Sequence, residues 1–159
     1  MAISNNERRL LLTTGNKSEL AVGYCTLYGD MCGGFAVLKD VYKTQVYELA
    51  AYLNGVTDTS IPESIIKKSP SAELRHNQKD EDTLPDYEIL DGILYRIIDK
   101  NETCEQIVGH GFERKLVEDV FKLMWKAEFK RRQAPPGVKV SEHALGRDWR
   151  YPISNKFVF

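Results

Sequence analysis

Leu10-Leu11-Leu12-Thr13-Thr14-Gly15-Asn16-Lys17-Ser18-Glu19-Leu20-Ala21 is the stretch that decides the fold. Three leucines in a row read as a short apolar strand, Gly15-Asn16 as the turn that ends it, and Ser18-Glu19-Leu20-Ala21 as the opening of a helix. An apolar run without alternation suits a strand buried on both faces, as in a parallel sheet. In such sheets the ligand crevice lies just beyond the carboxyl ends of the strands, which predicts that residues 14–19 line it.

Working outward, the unit repeats once. Gly29-Asp30 and Gly33-Gly34 break the first helix, Phe35-Ala36-Val37-Leu38 reads as a second strand, and Val46, Leu49, Ala50 and Leu53 give residues 43–54 helical spacing. A short helix within residues 61–66 follows around Pro62. Residues 69–85 are too long and charged for a simple connector, and read as a mobile functional loop. From Asp86, Tyr87, Leu90, Ile93, Leu94 and Ile97 predict an amphipathic helix. A short helix over 103–108 and a longer one over 112–129, with Leu116, Val120, Leu123 and Met124 inward, complete the regular part before an irregular tail. Two parallel strands cannot cover both faces or both edges of a doubly wound sheet, so this inventory describes part of a domain.

Composition narrows the function. The 159 residues are 42% hydrophobic and 28% charged, as in ordinary globular proteins, with no apolar run long enough for a membrane span. Twenty-two Lys+Arg against 23 Asp+Glu leave a net charge of -1, so no overall field gathers nucleic acid or an anionic bilayer. Phe129-Lys130-Arg131-Arg132 is a single short basic cluster on a chain of charge -1, and a helix end complementing its dipole explains it more simply than a nucleic-acid patch. Cys25, Cys32 and Cys104 have neither zinc-ligand spacing nor an even count, which fits a reducing cytoplasm. The start, MAISNNERR, lacks the order of a signal peptide. His76, His110 and His143 are scattered, without a nucleophile or metal pattern, and Cys25 reads as core.

Four separated motifs, TTGNKSELAVGYCTLYGD, KDVYKTQVYELAAYLN, SPSAELRHNQKDEDTLPDYEILDGIL and FKRRQAPPGVKVSEHALGRDWRYPISNKF, resemble in order the carboxyl-terminal part of the NAD+ synthetases, the tail resembling the glutamine-dependent kind. The resemblance covers nearly the whole chain, 1–159. It implies an α/β, adenine-nucleotide hydrolase-like (Rossmann-like) parent fold, of which this chain supplies a mostly helical portion with two or three short parallel strands. It implies a carbon–nitrogen ligase that amidates deamido-NAD+ (nicotinic acid adenine dinucleotide) through an acyl-adenylate, with ATP, Mg2+ and ammonia from glutamine, releasing AMP and pyrophosphate. The family's SGGxDS pyrophosphate loop and its glutaminase domain have no match here, so the chain alone is expected to be inactive. A homodimer, or complementation by the missing front half, is implied. The alternative is a non-catalytic assembly module derived from the synthetase domain.

The resemblance also implies site residues. Thr14, Lys43 and Ser71 match ATP-contacting positions, and Glu19 and Lys130 match positions at the dinucleotide. Glu19 matches the acidic metal position as well, and Asp30 is a candidate to hold metal. Without the motifs, Glu19 reads as a carboxylate near a helix start, Lys43 as a solvated lysine, Thr14 as a strand end, and Ser71 and Asp30 as turn residues. The acidic run Asp80-Glu81-Asp82 reads as solvated, with only the QKDED pattern implying closure over the site. The chain departs from ammonia-dependent relatives at Leu27, Gly34 and Phe129, where those have a lysine, an acidic residue and a histidine.

Overall fold

The computed structural model describes residues 1–58, 60–71, 76 and 79–154. Parts of the predicted functional loop (72–75, 77–78) and the last residues of the tail (155–159) lie outside the described residues. In chain order the elements are α1 (Ala2–Glu7), β1 (Leu12–Thr13), α2 (Lys17–Val22), β2 (Phe35–Ala36), α3 (Lys43–Val56), α4 (Glu63–Ile66), a 3-10 turn (Asp80–Asp82), α5 (Tyr87–Ile98), α6 (Cys104–Gly109), α7 (Arg114–Lys126) and α8 (Glu128–Arg131). Strands β1 and β2 pair in parallel, Leu12 opposite Phe35 and Thr13 opposite Ala36. The prediction of a mostly helical α/β unit with short parallel strands is met.

The core is helical. Helix α5 buries Leu90, Ile93, Leu94, Ile97 and Ile98 against Leu20, Ala21 and Val22 of α2 and against Val117, Val120, Phe121 and Met124 of α7. Each of these side chains larger than Ala21 contributes about 1.5–3 kcal/mol by leaving water, so this three-helix contact is a main source of stability. Leu116 and Leu123, read as inward, are only partly buried; Val117 and Phe121 hold the inner face of α7 instead. The long helix predicted to reach residue 129 is broken at Ala127, where α8 begins. There Glu128 and Arg131 are buried as a pair at 2.9 Å, and the Arg131 guanidinium also donates to the Ala21 carbonyl at 2.5 Å. A guanidinium has enough donors to close the end of α2 while neutralising Glu128.

Strand β1 is not buried on both faces within this chain, as the shortage of strands read from the sequence predicts: Leu10 is 66% and Leu12 51% exposed, whereas Thr13 is buried. Among the described residues the leucine face is left largely open, with Gly34 close against the Leu10 side chain. The tail takes one edge only. Ala36 N donates to the Pro136 carbonyl at 2.8 Å, and Gly137 lies so close that a Cβ there would sit 2.3 Å from the Ala36 oxygen. Among the described residues no helix is long and apolar enough to cross a membrane.

Candidate functional site

Beyond the end of β1, Asn16 starts α2. Its side-chain oxygen accepts from Glu19 N at 3.0 Å, and Glu19 Oε2 accepts in return from Asn16 N at 3.2 Å. This reciprocal cap satisfies two backbone donors and fixes the Glu19 carboxylate at the helix start. Helix α3 starts beside it. Its first residue, Lys43, brings Nζ to 3.5 Å from Glu19 Oε1, with both side chains about one-fifth exposed. The Lys43 ammonium also stands 5.8 Å from the Tyr47 ring centre and 5.6 Å from that of Tyr87, within cation–π range. Burial pushes the Glu19 carboxyl up despite the opposing pull of Lys43 and the Asn16 bonds.

The helix starts are joined by a third element. Ser18 Oγ accepts from Lys43 N at 2.9 Å and donates to Asp91 Oδ1 at 2.5 Å; Asp91 Oδ2 accepts from Thr44 N at 2.9 Å. Behind this lies a fully buried ammonium. Lys17 Nζ is 3.1 Å from Asp40 Oδ1 and 3.4 Å from Asp99 Oδ2, and donates to Ser141 Oγ at 2.8 Å and the His143 carbonyl at 3.1 Å. Tyr42 OH donates to Asp99 Oδ2 at 2.7 Å, while Asp40 also receives Val140 N and Ser141 N. The tail from 140 to 143 is thereby strapped to α2 and to the start of α3.

The sequence-predicted residues separate into groups. Glu19 and Lys43 are brought together, and Thr14 stands exposed just before the Asn16 cap. Ser71 is half-buried at the head of the acidic stretch. Within that stretch Asp80 is not solvated as read: it is 4% exposed, its Oδ2 accepts from Tyr87 OH at 2.8 Å, and its Oδ1 has no partner among the described residues. Tyr87 thus ties the stretch to the aromatic wall beside Lys43.

Asp30 and Lys130 bond to other partners. Asp30 is exposed, and its carboxylate accepts from Thr26 N at 2.5 Å, the behaviour of a turn residue. Lys130 Nζ donates to the Gly23 and Cys25 carbonyls at 2.8 and 2.7 Å, closing the carboxyl end of α2. Both bear on Cys25, whose thiol is pushed up to about 11, chiefly by burial and further by Asp30 and Glu19 against the pull of Lys130. Such a thiol stays protonated at neutral pH and is a poor nucleophile, as the core reading requires.

Sequence reasoning missed Lys17, Ser18 and Asp91. The cap was not read either, although Asn16-x-x-Glu19 has the spacing of a capping box, a signal that could have found it. A separate groove of about 960 Å3, lined by Trp125, Phe129, Trp149 and Tyr151 among others, includes none of the Glu19–Lys43 neighbours. Its lining charges are balanced, three acidic against three basic, so it favours no ligand charge.

For metal, the described residues contain no cluster of three or more His, Cys, Asp or Glu side chains. Mg2+ at nucleotide sites is commonly held by one or two carboxylates together with substrate phosphates, so the Glu19 carboxylate is a donor of the required kind.

Residues 1–134 match the NAD synthase family. The glutamine-dependent NAD(+) synthetase of Synechocystis sp. is 55% identical over 157 residues, covering 99% of this chain and 28% of that protein. The glutamine-dependent NAD(+) synthetase of Acinetobacter baylyi is 56% identical over 156 residues, covering 98% of this chain and 29% of that protein. Among solved structures, a glutamine-dependent NAD(+) synthetase from Cytophaga hutchinsonii superposes with a TM-score of 0.74 at 22% identity over 98% of this chain and 26% of that one, a likeness of fold. The chain thus spans under a third of the length of these relatives.

Proposed function

The chain belongs to the NAD synthase family, and on that premise we propose that it is the carboxyl-terminal part of a synthetase domain that amidates deamido-NAD+ to NAD+ in a glutamine-dependent, ATP-consuming reaction. The observation that carries this reading is the Glu19–Lys43 pair, a carboxylate and an ammonium 3.5 Å apart beyond the end of a parallel strand. Forming an acyl-adenylate requires neutralising phosphate charge while a carboxylate attacks the α-phosphorus, and fixed charges in a partly dry site do this without reorganisation. Lys43 supplies the ammonium for the phosphates. Glu19 supplies the oxygen that would hold Mg2+, which when bound screens the phosphate charge. Thr14 and Ser71 supply hydroxyls to the nucleotide.

Lys130 and Asp30 are proposed on the dinucleotide and metal side respectively. Lys130 has three donor hydrogens, of which two serve the Gly23 and Cys25 carbonyls, so one is left for an incoming ligand. The uncovered leucine face of β1 supports a reading in which the rest of the sheet, with the pyrophosphate loop, comes from the preceding part of a synthetase. A cytoplasmic homodimer is part of the same proposal.

The test is ATP-dependent conversion of deamido-NAD+ to NAD+ with ammonia, run on the purified chain alone and after addition of the front half of the Synechocystis synthetase domain. The expected result is NAD+ only in the complemented reaction, abolished by Glu19→Gln. No NAD+ in either arm overturns catalytic competence and favours an assembly module.

A further inference from the structure

We propose that Ser18 and Asp91 are positioning residues of this site: they lock the first turn of α3 to the first turn of α2 and so hold the Lys43 ammonium against the Glu19 carboxylate. The inference rests on the function proposed above for Lys43 and Glu19, and adds to it the two residues that make their meeting obligatory.

The first amides of a helix lack intrahelical acceptors, and a Ser, Thr, Asp or Asn at the N-cap is the ordinary remedy. Helix α3 has Tyr42 at its N-cap instead, which makes no side-chain cap bond. The amides of Lys43 and Thr44 are met from elsewhere in the chain, by Ser18 Oγ at 2.9 Å and Asp91 Oδ2 at 2.9 Å. The acceptors lie 25 and 47 residues from their donors. Asp91 is 6% exposed in the middle of α5, and Ser18 is fully buried one residue before Glu19.

This arrangement is costly as a cap. A local Ser or Asp at position 42 would reach the Thr44 amide in contact with water but not the Lys43 amide, whereas burying the Asp91 carboxylate carries a desolvation penalty. Burial accordingly pushes the Asp91 carboxyl up, against the bonds from Ser18 and Thr44. What the long-range version adds is geometry. A lysine side chain is long and flexible, so its ammonium is found near a given point only if its backbone is fixed relative to that point. Ser18 binds the Lys43 amide directly and is the sequence neighbour of Glu19, so one hydroxyl sets both halves of the ion pair. Asp91 aims that hydroxyl, since accepting its proton leaves an oxygen lone pair for Lys43 N.

The test is a double-mutant cycle on ATP affinity, with ATP and Mg2+ as the probe and the whole chain complemented by the front half of the Synechocystis synthetase domain. Lys43→Met and Ser18→Ala each weaken ATP by about tenfold or more, the scale of one lost charged hydrogen bond. In the Lys43→Met background, Ser18→Ala then adds no more than about twofold, the usual limit of additivity error. Asp91→Ala behaves as Ser18→Ala. Asp91→Asn recovers most of that loss, because its amide oxygen still accepts from Thr44 and Ser18 can accept from its nitrogen. A residue acting only through stability would lower the melting temperature and cost the same factor in both backgrounds. Independent, multiplying losses therefore overturn the positioning role while leaving the function standing. Failure of the unmutated complemented chain to bind ATP overturns both. If Asp91→Ala does not fold, Ser18→Ala and Asp91→Asn decide the matter alone.

Discussion

Lys17→Met tests the buried polar network most directly. The Lys17 ammonium is fully buried, 3.1 Å from Asp40, 3.4 Å from Asp99, 2.8 Å from Ser141 Oγ and 3.1 Å from the His143 carbonyl. Methionine matches the stem in volume but leaves two buried carboxylates without their cation. Breaking a buried pair from one side usually costs about 3–5 kcal/mol. Here the low end applies, because Asp40 keeps the Val140 and Ser141 amides and Asp99 keeps the Tyr42 hydroxyl. At about 2–4 °C per kcal/mol for a chain of this length, a loss of about 3 kcal/mol lowers the melting temperature by roughly 6–12 °C. The assay is thermal unfolding at neutral pH followed by far-UV circular dichroism. A companion variant, Lys17→Met with Asp99→Asn, removes one orphaned charge and should regain about half of the loss. A Lys17→Met melting temperature within about 2 °C of the parent, or a companion less stable than the single variant, would refute the reasoning.

Asp40 makes the same network sensitive to acid. Burial alone would raise its carboxyl, but the Ser141 and Val140 amides, the Ser141 hydroxyl and Lys17 outweigh burial and hold it below its ordinary value of 3.8. A carboxyl depressed in the folded state contributes stability that is present above its unfolded value and lost as pH falls through the folded one. Melting temperatures measured from pH 7 downward should therefore drop below about pH 4, and the drop should be smaller in Asp40→Asn; an unchanged acid limb in that variant rules the assignment out. Gly137→Ala should detach the tail from β2, since its Cβ would lie 2.3 Å from the Ala36 oxygen, closer than packing allows. The expected cost is about 1–3 kcal/mol, with faster hydrogen exchange at the Ala36 amide, and retained protection there would contradict it.

The elements that local pattern controls were legible in the sequence. Helix α5 shows its period through Leu90, Ile93, Leu94 and Ile97, and the structure buries all four. The strand, turn and helix around Thr13 were visible because an apolar run, Gly-Asn and a helical opening occur in succession. The exposure of β1 was legible too, because an apolar run indicates that a face wants cover and two strands are too few to provide it. Lys17 and Asp91 were illegible. A lysine at a helix start and an aspartate in a helix ordinarily point to water, and the partners that reverse this are distant: Asp99 and Ser141 lie 82 and 124 residues from Lys17. No window of local sequence contains both ends of such a bond. Lys130 was marked as a basic site position, but its two bonds to the Gly23 and Cys25 carbonyls depend on α8 crossing the end of α2, which no local signal announces.

The same distances explain what aligns the candidate site. A sheet of two strands, each two residues long, is too small to fix the direction of the helices that leave it. The apolar core fixes α2, α5 and α7, but α3 contributes no buried residue to it and carries Leu49, Tyr52, Leu53 and Val56 on exposed ground. The start of α3, and with it Lys43, is placed by Tyr42, which is buried in the apolar core, and by polar contacts: Ser18 and Asp91 at its first two amides, Gln45 back-bonding to Tyr42 N, and Asp99 on the Tyr42 hydroxyl. Hydrogen bonds are directional, whereas apolar contacts tolerate sliding and repacking. A substitution that preserves the core can thus displace the ammonium, and one that softens the core can leave it in place. Tyr42 and Asp99 serve both stability and site geometry, whereas the Ser18 hydroxyl bears on the start of α3, so Ser18→Ala is read for each through melting temperature and ATP affinity.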